Sequence, residues 1–256
     1  MTRELPRGKD PGSPFVMFKK KKRVLNEDIP EIVRSSGLRH IAYIMDGNGR
    51  WATSRSLPRE LGHSAGAKNF KEIVRYSKNI GVRYVTVYAF STENWKRPQR
   101  EVSAIMKLLD QYIDEASLED EIEFLFIGDR ENVDPRIAER LTSLEKLTAG
   151  RSFRLNIAFN YGGRDEIVHA VNKAISAGCT EISEKIISSN VYTCDCPDPD
   201  LIIRTGAEYR ISNFLMWQSA YSELYFSEKM WPEFKPQDVD SAVIEFSKRK
   251  RRFGGV

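Results

Sequence analysis

The sequence predicts an α/β fold, a single domain built on a mostly parallel six-stranded sheet flanked by helices. Three observations lead there. Six short apolar runs recur along the chain, most of them rich in β-branched or aromatic residues, as strands buried on both faces are. Segments of helical periodicity lie between the runs. Strands alternating with helices then impose right-handed crossovers, which cover both faces of the sheet.

The elements follow in order. "HIAYIMD" (40–46) is the first strand. Phe70, Ile73, Val74, Ser77 and Ile80 recur at i, i+3, i+4, i+7 and i+10, one face of a helix that Gly81 stops. After the strand "YVTVYAF" (84–90), Val102, Ile105, Met106, Leu109, Tyr112 and Ile113 mark a second amphipathic face. The third strand is "IEFLFIG" (122–128). In "DPRIAERLTSLEKLTAG" (134–150) Asp134 caps a helix, Pro135 takes its first position and Gly150 ends it. "RLNIAFN" (154–160) is followed by "RDEIVHAVNKAISAG" (164–178), a helix closing at Gly178. "LIIRTG" (201–206) and "ELYFSE" (223–228) complete the sheet. With no internal repeat and no dividing linker, the folded domain is assigned to 39–256, behind a basic arm over 1–38.

Composition narrows the function. No stretch reaches the ~18 apolar residues of a membrane span, and the first 18 residues lack the apolar core of a secretory signal. The net charge of +4 is concentrated in "FKKKKR" (18–23) and "KRKRRF" (248–253). Aromatic residues do not interleave with these runs as a stacking platform requires, so nucleic acid is not expected as a partner. Two readings of the lysine run stay open, peripheral contact with anionic lipid and a merely solvated tail. Cys179, Cys194 and Cys196 are too few and too clustered for a disulfide framework, which fits a reducing, cytoplasmic compartment.

In open α/β sheets, ligands bind beyond the carboxyl ends of the strands. Here those ends lead into "DGNGRW", "STENWKRP" (91–98), "GDR", "YGGR" and "RTGAEYRIS" (204–212), all polar and mostly glycine- or arginine-bearing. Asp46 is the only carboxylate at the mouth of the first strand. Gly47 and Gly49 free the backbone to offer N–H groups to an anion, and Arg50 adds a fork suited to phosphate oxygens. An aspartate among anion donors would repel a bare phosphate. It makes sense if Mg²⁺ lies between them, because that ion binds through one or two carboxylates plus substrate phosphates. Arg59 and His63 stand near the start of the next helix, where anions are also favoured. Arg204, Arg210 and Ser212 form a second donor cluster, which suggests two anionic substrates or one long one. Trp51, Phe90, Trp95, Phe214, Leu215 and Trp217 are either core or the lining of an apolar pocket beside the charged mouth. A charged head with an apolar tail describes an isoprenoid pyrophosphate. The phosphate-loop, dinucleotide and nucleophile-elbow motifs are absent, as are paired D-D-x-x-D segments.

The segments "HIAYIMDGNGRWA", "GHSAGA", "YAFSTENWKRP", "NIAFNYGGRDEI", "DLIIRTGAEYRISNFLMWQSAYSELYF", "WPEF" and "RRFGG" together resemble the cis-prenyltransferases, most closely the bacterial undecaprenyl pyrophosphate synthases. The resemblance runs from residue 40 to the end. It implies a homodimer that adds isopentenyl pyrophosphate repeatedly to farnesyl or another allylic pyrophosphate with Mg²⁺. The product would be a long cis-polyprenyl pyrophosphate such as the undecaprenyl carrier precursor of cell-wall synthesis. By resemblance, Asp46 manages the metal and the allylic pyrophosphate. Gly47, Asn48, Gly49, Arg50, Arg59 and His63 cradle that pyrophosphate. Ser91, Asn94, Trp95, Arg97 and Glu101 orient the incoming unit, pack on the chain and order the nearby loop, Asn94 being placed with Asp46 in the catalytic set. Trp51 and Glu93 join the substrate-binding set. Arg204, Arg210 and Ser212 bind isopentenyl pyrophosphate, Glu223 assists the metal, and Arg252 and Gly254 supply an R-x-G that reaches the partner's site.

Relatives often read R-T-G-G-E-H-R where this chain has Ala207 and Tyr209. The methyl group at 207 constrains the loop if that position needs φ > 0. Two alternatives accompany the reading. One is a shorter or longer product, set by the depth of an apolar tunnel between helices and sheet. The other is a non-catalytic partner subunit, although such proteins tend to lose the "DGNGR" aspartate that this chain keeps.

Overall fold

All six predicted strands pair into one sheet in the computed structural model, which describes residues 28–131 and 133–250. They are β1 (His40–Ile44), β2 (Tyr84–Ser91), β3 (Ile122–Ile127), β4 (Phe153–Tyr161), β5 (Leu201–Arg204) and β6 (Glu223–Phe226). The order is β3-β4-β2-β1-β5-β6 and every neighbouring pair is parallel, so the expected mostly parallel sheet is wholly parallel. Side-chain alternation divides the strands between two cores. Ile41 and Tyr43 of β1 face one hydrophobic cluster, and Ala42 and Ile44 face the other. Register then fixes the site. Ile44 pairs with Tyr88 on one side and Arg204 on the other, so the carboxyl ends of β1, β2 and β5 lie side by side.

Of the span 1–38 expected as a basic arm, only 28–38 is described. Residues 1–27, with the lysine run 18–23, lie outside the described residues. Ile29–Ser36 is a helix, α1, capped by the Asp28 carboxylate and closed at Gly37 with φ 70°. Val33 and Leu38 are buried, and α1 packs against the C-terminal helix α8 (Pro236–Ser247). A cap contributes about 1 kcal/mol, and burying one Val or Leu about 1.5–3 kcal/mol. Burial therefore does more than the cap to join α1 to the domain.

The segment after β1, expected as a loop, turns straight into the short helix α2 (Asn48–Thr53). Behind it lies α3 (Arg59–Asn79), which carries the predicted apolar stripe. The motif "GHSAG" explains their approach. A Cβ at Gly62 would lie 2.0 Å from the Asn48 carbonyl oxygen, and one at Gly66 would lie 2.2 Å from Asn48 Oδ1. The remaining helices are α4 (Gln99–Ala116), α5 (Pro135–Thr148), α6 (Gly163–Ser176) and α7 (Glu184–Ser188). Asp134 caps α5 as predicted, although α5 closes at Ala149, one residue before Gly150. "DCPDPD" forms the turn into β5, where the Asp200 carboxylate accepts from the Arg39 and His40 amides.

Gly62→Ala forces α3 away from α2. Such overpacking costs about 1–3 kcal/mol, so urea denaturation is expected to show a lower midpoint with an unchanged slope.

Candidate active site

Asp46 stands two residues beyond β1, with its backbone held from both sides. Its carbonyl oxygen accepts from Thr205 Oγ1 at 2.7 Å and from the Trp231 amide at 2.9 Å. Gly47 follows at φ 102°, and a Cβ there would meet Met230 Cβ at 2.9 Å. "WPEF" thus has a mechanical meaning. Trp231 is buried, and its indole N–H donates to Gly66 O at 2.9 Å, which joins α3 to the Asp46 turn.

The Asp46 carboxylate meets three donors. Oδ1 accepts from the Gly47 amide at 2.6 Å and lies 3.2 Å from Arg50 Nη2. Oδ2 accepts from Arg204 Nη2 at 3.0 Å. Burial pushes the pKa up, but the hydrogen bond from Arg204 and the charge of Arg50 outweigh it and hold this carboxyl below the usual carboxylate range. Asp46 is therefore ionised at neutral pH.

Arg204 ends β5 and is 4% exposed. Its Nη1 donates to Ser212 Oγ at 2.7 Å and to the Arg210 carbonyl, while its buried Nε has no hydrogen-bond partner. Arg210 itself points outward and pairs with Glu208. Ala207, Ser212, Asn213 and Leu215 all have φ between 44° and 65°. Position 207 thus has the left-handed backbone that makes a methyl group a constraint, at about 1–2 kcal/mol for an L residue.

Glu101 organises a second cluster of basic side chains. Buried at 4% exposure, it accepts from Arg59 Nε at 3.0 Å, His63 Nε2 at 2.9 Å and Arg97 Nη1 at 3.0 Å. Burial raises its pKa, yet Arg59, His63 and Arg97 outweigh that and keep it low. Burial holds His63 below its ordinary value, with Glu101 opposing and Arg97 and Arg59 assisting. A Cβ at Gly49 would lie 2.5 Å from Arg59 Cζ, so this glycine is what lets the guanidinium lie against the Asp46 turn.

Residues 92–96 form a 3₁₀ turn closed by a capping box between Ser91 and Asn94. Asn94 Oδ1 accepts from the Ser91 amide at 3.2 Å, and Asn94 lines the polar cavity. Glu93 accepts from Asn213 Nδ2 at 3.1 Å and so links this turn to the Arg204 loop. Trp95 is 40% exposed, packs edge-on against Phe90, and donates to Asn160 Oδ1 at 2.7 Å. Asn160 is buried at φ 49° and also donates to Asp129 O. No sequence signal singled it out, because its partners lie 31 and 65 residues away.

These groups surround a polar cavity of about 590 Å³ lined by Asp46, Gly47, Asn48, Gly49, Arg50, Arg59, His63, Ser91, Glu93, Asn94, Arg97, Arg204 and Ser212. An apolar cavity of about 160 Å³ adjoins it among α3, α4 and the sheet. Met45, Asn48, His63, Ala89 and Ile105 form walls of both. Of the six aromatic and apolar residues singled out in the sequence, only Phe90 lines the apolar cavity. Its other walls include Ala67, Phe70, Leu109, Phe159 and Trp231. Phe214 and Leu215 pack in the cluster on the other face of the sheet. Trp51 lies under the Arg55 guanidinium, and Trp217 donates to Ser188.

The donor set suits Mg²⁺ of the kind carried mainly by substrate. Asp46 presents one ionised carboxylate among phosphate-binding cations, and further ligands would come from diphosphate oxygens. Among the described residues no three His, Cys, Asp or Glu side chains group closely enough for an all-protein cage. Within one chain, Glu223, expected to assist the metal, does not line the polar cavity with Asp46. It opens β6 level with Leu201 and accepts from Arg249 Nη1 at 2.7 Å. Parallel pairing puts it about 10 Å from the level of Arg204, at the amino end of the sheet. Arg252 and Gly254 lie outside the described residues.

The family described as "Putative undecaprenyl diphosphate synthase" matches residues 44–254. An isoprenyl transferase of Fusobacterium nucleatum is 50% identical over 222 residues, covering 85% of this chain and 96% of its own. One from Neisseria gonorrhoeae is 47% identical over 220 residues, covering 84% and 89%. Among solved structures, lavandulyl diphosphate synthase from Lavandula x intermedia, in complex with dimethylallyl diphosphate, superposes with a TM-score of 0.81. It has 30% identity, with 86% of this chain and 100% of that one covered. A probable undecaprenyl diphosphate synthase from Campylobacter jejuni gives 0.73 at 33% identity, covering 85% and 99%.

The Glu101 cluster predicts an acid-side loss of stability. The lowered pKa of His63 favours the neutral ring in the folded state. Its contribution is full above the unfolded value of about 6.5 and declines as pH falls through it. Glu101, also lowered, adds stability above its usual range and loses it as pH falls through its folded value. Denaturation from about pH 7 to about pH 3 is expected to show the first decline and then the onset of the second, with His63→Gln flattening only the first.

Proposed function

The chain belongs to the undecaprenyl diphosphate synthase family of prenyltransferases, and on that premise we propose that it is a cis-prenyltransferase elongating farnesyl diphosphate with isopentenyl diphosphate. The observation that carries this reading is the shared wall between the two cavities. A mouth lined by Asp46, Arg50 and Arg204 opens beside an apolar space lined by Phe70, Ile105 and Phe159. One molecule with a diphosphate head and a prenyl tail fits both. The apolar space is the start of the tunnel that takes up the growing chain, and a long product such as undecaprenyl diphosphate requires the walls of α3 and α4 to move apart.

Two anion sites divide the substrates. The allylic diphosphate lies by Gly47–Arg50 with Arg59 and His63, whose orientations Glu101 holds. Isopentenyl diphosphate lies by Arg204, Ser212 and Arg210, with the side-chain amide of Asn94 between the two. The allylic C–O bond breaks and its electron pair leaves with the diphosphate, whose charge Arg50 and Arg59 offset. The isopentenyl double bond attacks the allylic carbon, the new C–C bond forms, and a proton is lost. The acidic and histidine side chains lining the polar cavity are engaged by Arg204, Asn213 and Glu101, so a released diphosphate oxygen accepts that proton. Asp46 would hold Mg²⁺ together with the substrate, and the ion would supply Lewis-acid stabilisation of the leaving group.

The homodimer belongs to the same proposal through the R-x-G of Arg252 and Gly254. No described helix is long and apolar enough to cross a membrane; a cytoplasmic location, with the lysine run touching anionic lipid peripherally, belongs to the same proposal.

Mass spectrometry of lipids made from farnesyl and isopentenyl diphosphates with Mg²⁺ is expected to show one dominant chain length. Asp46→Ala should keep its melting curve while turnover falls about 10²–10³-fold or more. A folded and fully active variant would refute the role of Asp46.

A further inference from the structure

The motif N-Y-G-G-R-D-E (160–166) contributes only Asn160 to the site described above, yet it is mated closely to the segment 211–218. The Gly163 amide donates to Asn213 O at 2.7 Å, and the Arg164 amide to Asn213 Oδ1 at 2.9 Å. A Cβ at Gly163 would meet Met216 Cγ at 2.9 Å and Asn213 O at 3.0 Å. One turn into α6, Glu166 is wholly buried. Its oxygens accept from Gln218 Nε2 at 3.1 Å each, from the Tyr192 amide at 2.9 Å, and from the Tyr161 hydroxyl.

The Gln218 NH2 group, the Tyr192 N–H and the Tyr161 hydroxyl all donate to Glu166; a carboxylate accepts from the whole set, whereas a glutamine at 166 would turn an NH2 group toward one of these donors. Gln218 is itself 2% exposed and donates onward to Thr193 Oγ1 at 3.0 Å. At the near end of the same segment, Ser212 accepts from Arg204 and Asn213 donates to Glu93. Between these points Ser212, Asn213 and Leu215 hold left-handed backbone, which persists only where surroundings over-determine it.

We propose that Glu166 is a positioning residue that, through Gln218 and the first turn of α6, holds segment 211–218 so that Ser212 and Asn213 complete the second anion site. This rests on the assignment of that site to isopentenyl diphosphate. It separates the two substrates, because the Asp46 turn is held independently by Thr205 and Trp231.

The test uses Glu166→Gln and, should that variant not fold, Gln218→Leu, which leaves the carboxylate with Tyr161 and Tyr192. Hydrogen–deuterium exchange is expected to rise about tenfold across 207–217 and to stay unchanged across 46–52, as the loss of one charge-assisted hydrogen bond implies. The KM for isopentenyl diphosphate should rise about tenfold while that for the allylic diphosphate stays within about twofold. Unchanged exchange in a folded variant, or both KM values rising together, overturns the proposal. If the wild type transfers no prenyl group, the functional reading falls, and the exchange result still decides the role of Glu166.

Discussion

The ion pair between Asp46 and Arg204 is the contact on which the site depends. The two residues are 158 positions apart and meet because β1 and β5 are parallel neighbours with Ile44 level with Arg204. Each alone would be a liability. A buried guanidinium without a counter-charge is costly, and a half-buried carboxylate among arginines is stable only when ionised. Paired, they line the polar cavity together, which is a charged site assembled before any ligand arrives.

Much of the surrounding structure keeps that pair in place. Thr205 and Trp231 hold the Asp46 peptide, Met230 presses on Gly47, and Trp231 is anchored in turn to Gly66 of α3. On the Arg204 side, the loop is held at Ser212, Asn213 and Gln218 by contacts from β5, the 92–96 turn and α6. Glycines at 47, 49, 62, 66 and 163 are among the points where another group comes closer than a Cβ would permit. They mark the close approaches that bring α2, α3 and α6 against the site.

The electrostatic design puts few carboxylates among many cations. Asp46 and Glu101 are each held ionised by arginines, and His63 is held neutral. The polar cavity therefore carries an excess of fixed positive charge without relying on a titrating histidine. A diphosphate with its apolar tail is complementary to that field on one side and to the α3–α4 cavity on the other.

The sequence alone determined the strands, the helix stripes of α3 and α4, the capped start of α5, and the collection of polar loops at one sheet edge. These follow from local rules of periodicity, capping and turn chemistry, which need no knowledge of neighbours. It also marked position 207 as sensitive to φ, and the structure shows φ 56° there. Tertiary structure alone decided that Glu223 lies at the far edge, that α1 belongs to the core, and that Phe90 but not Phe214 borders the apolar cavity. It decided too that Asn160 and Glu166 support the site. Each of these depends on strand order and register between distant segments, and a residue's own neighbourhood in sequence carries no record of which strand will lie beside it.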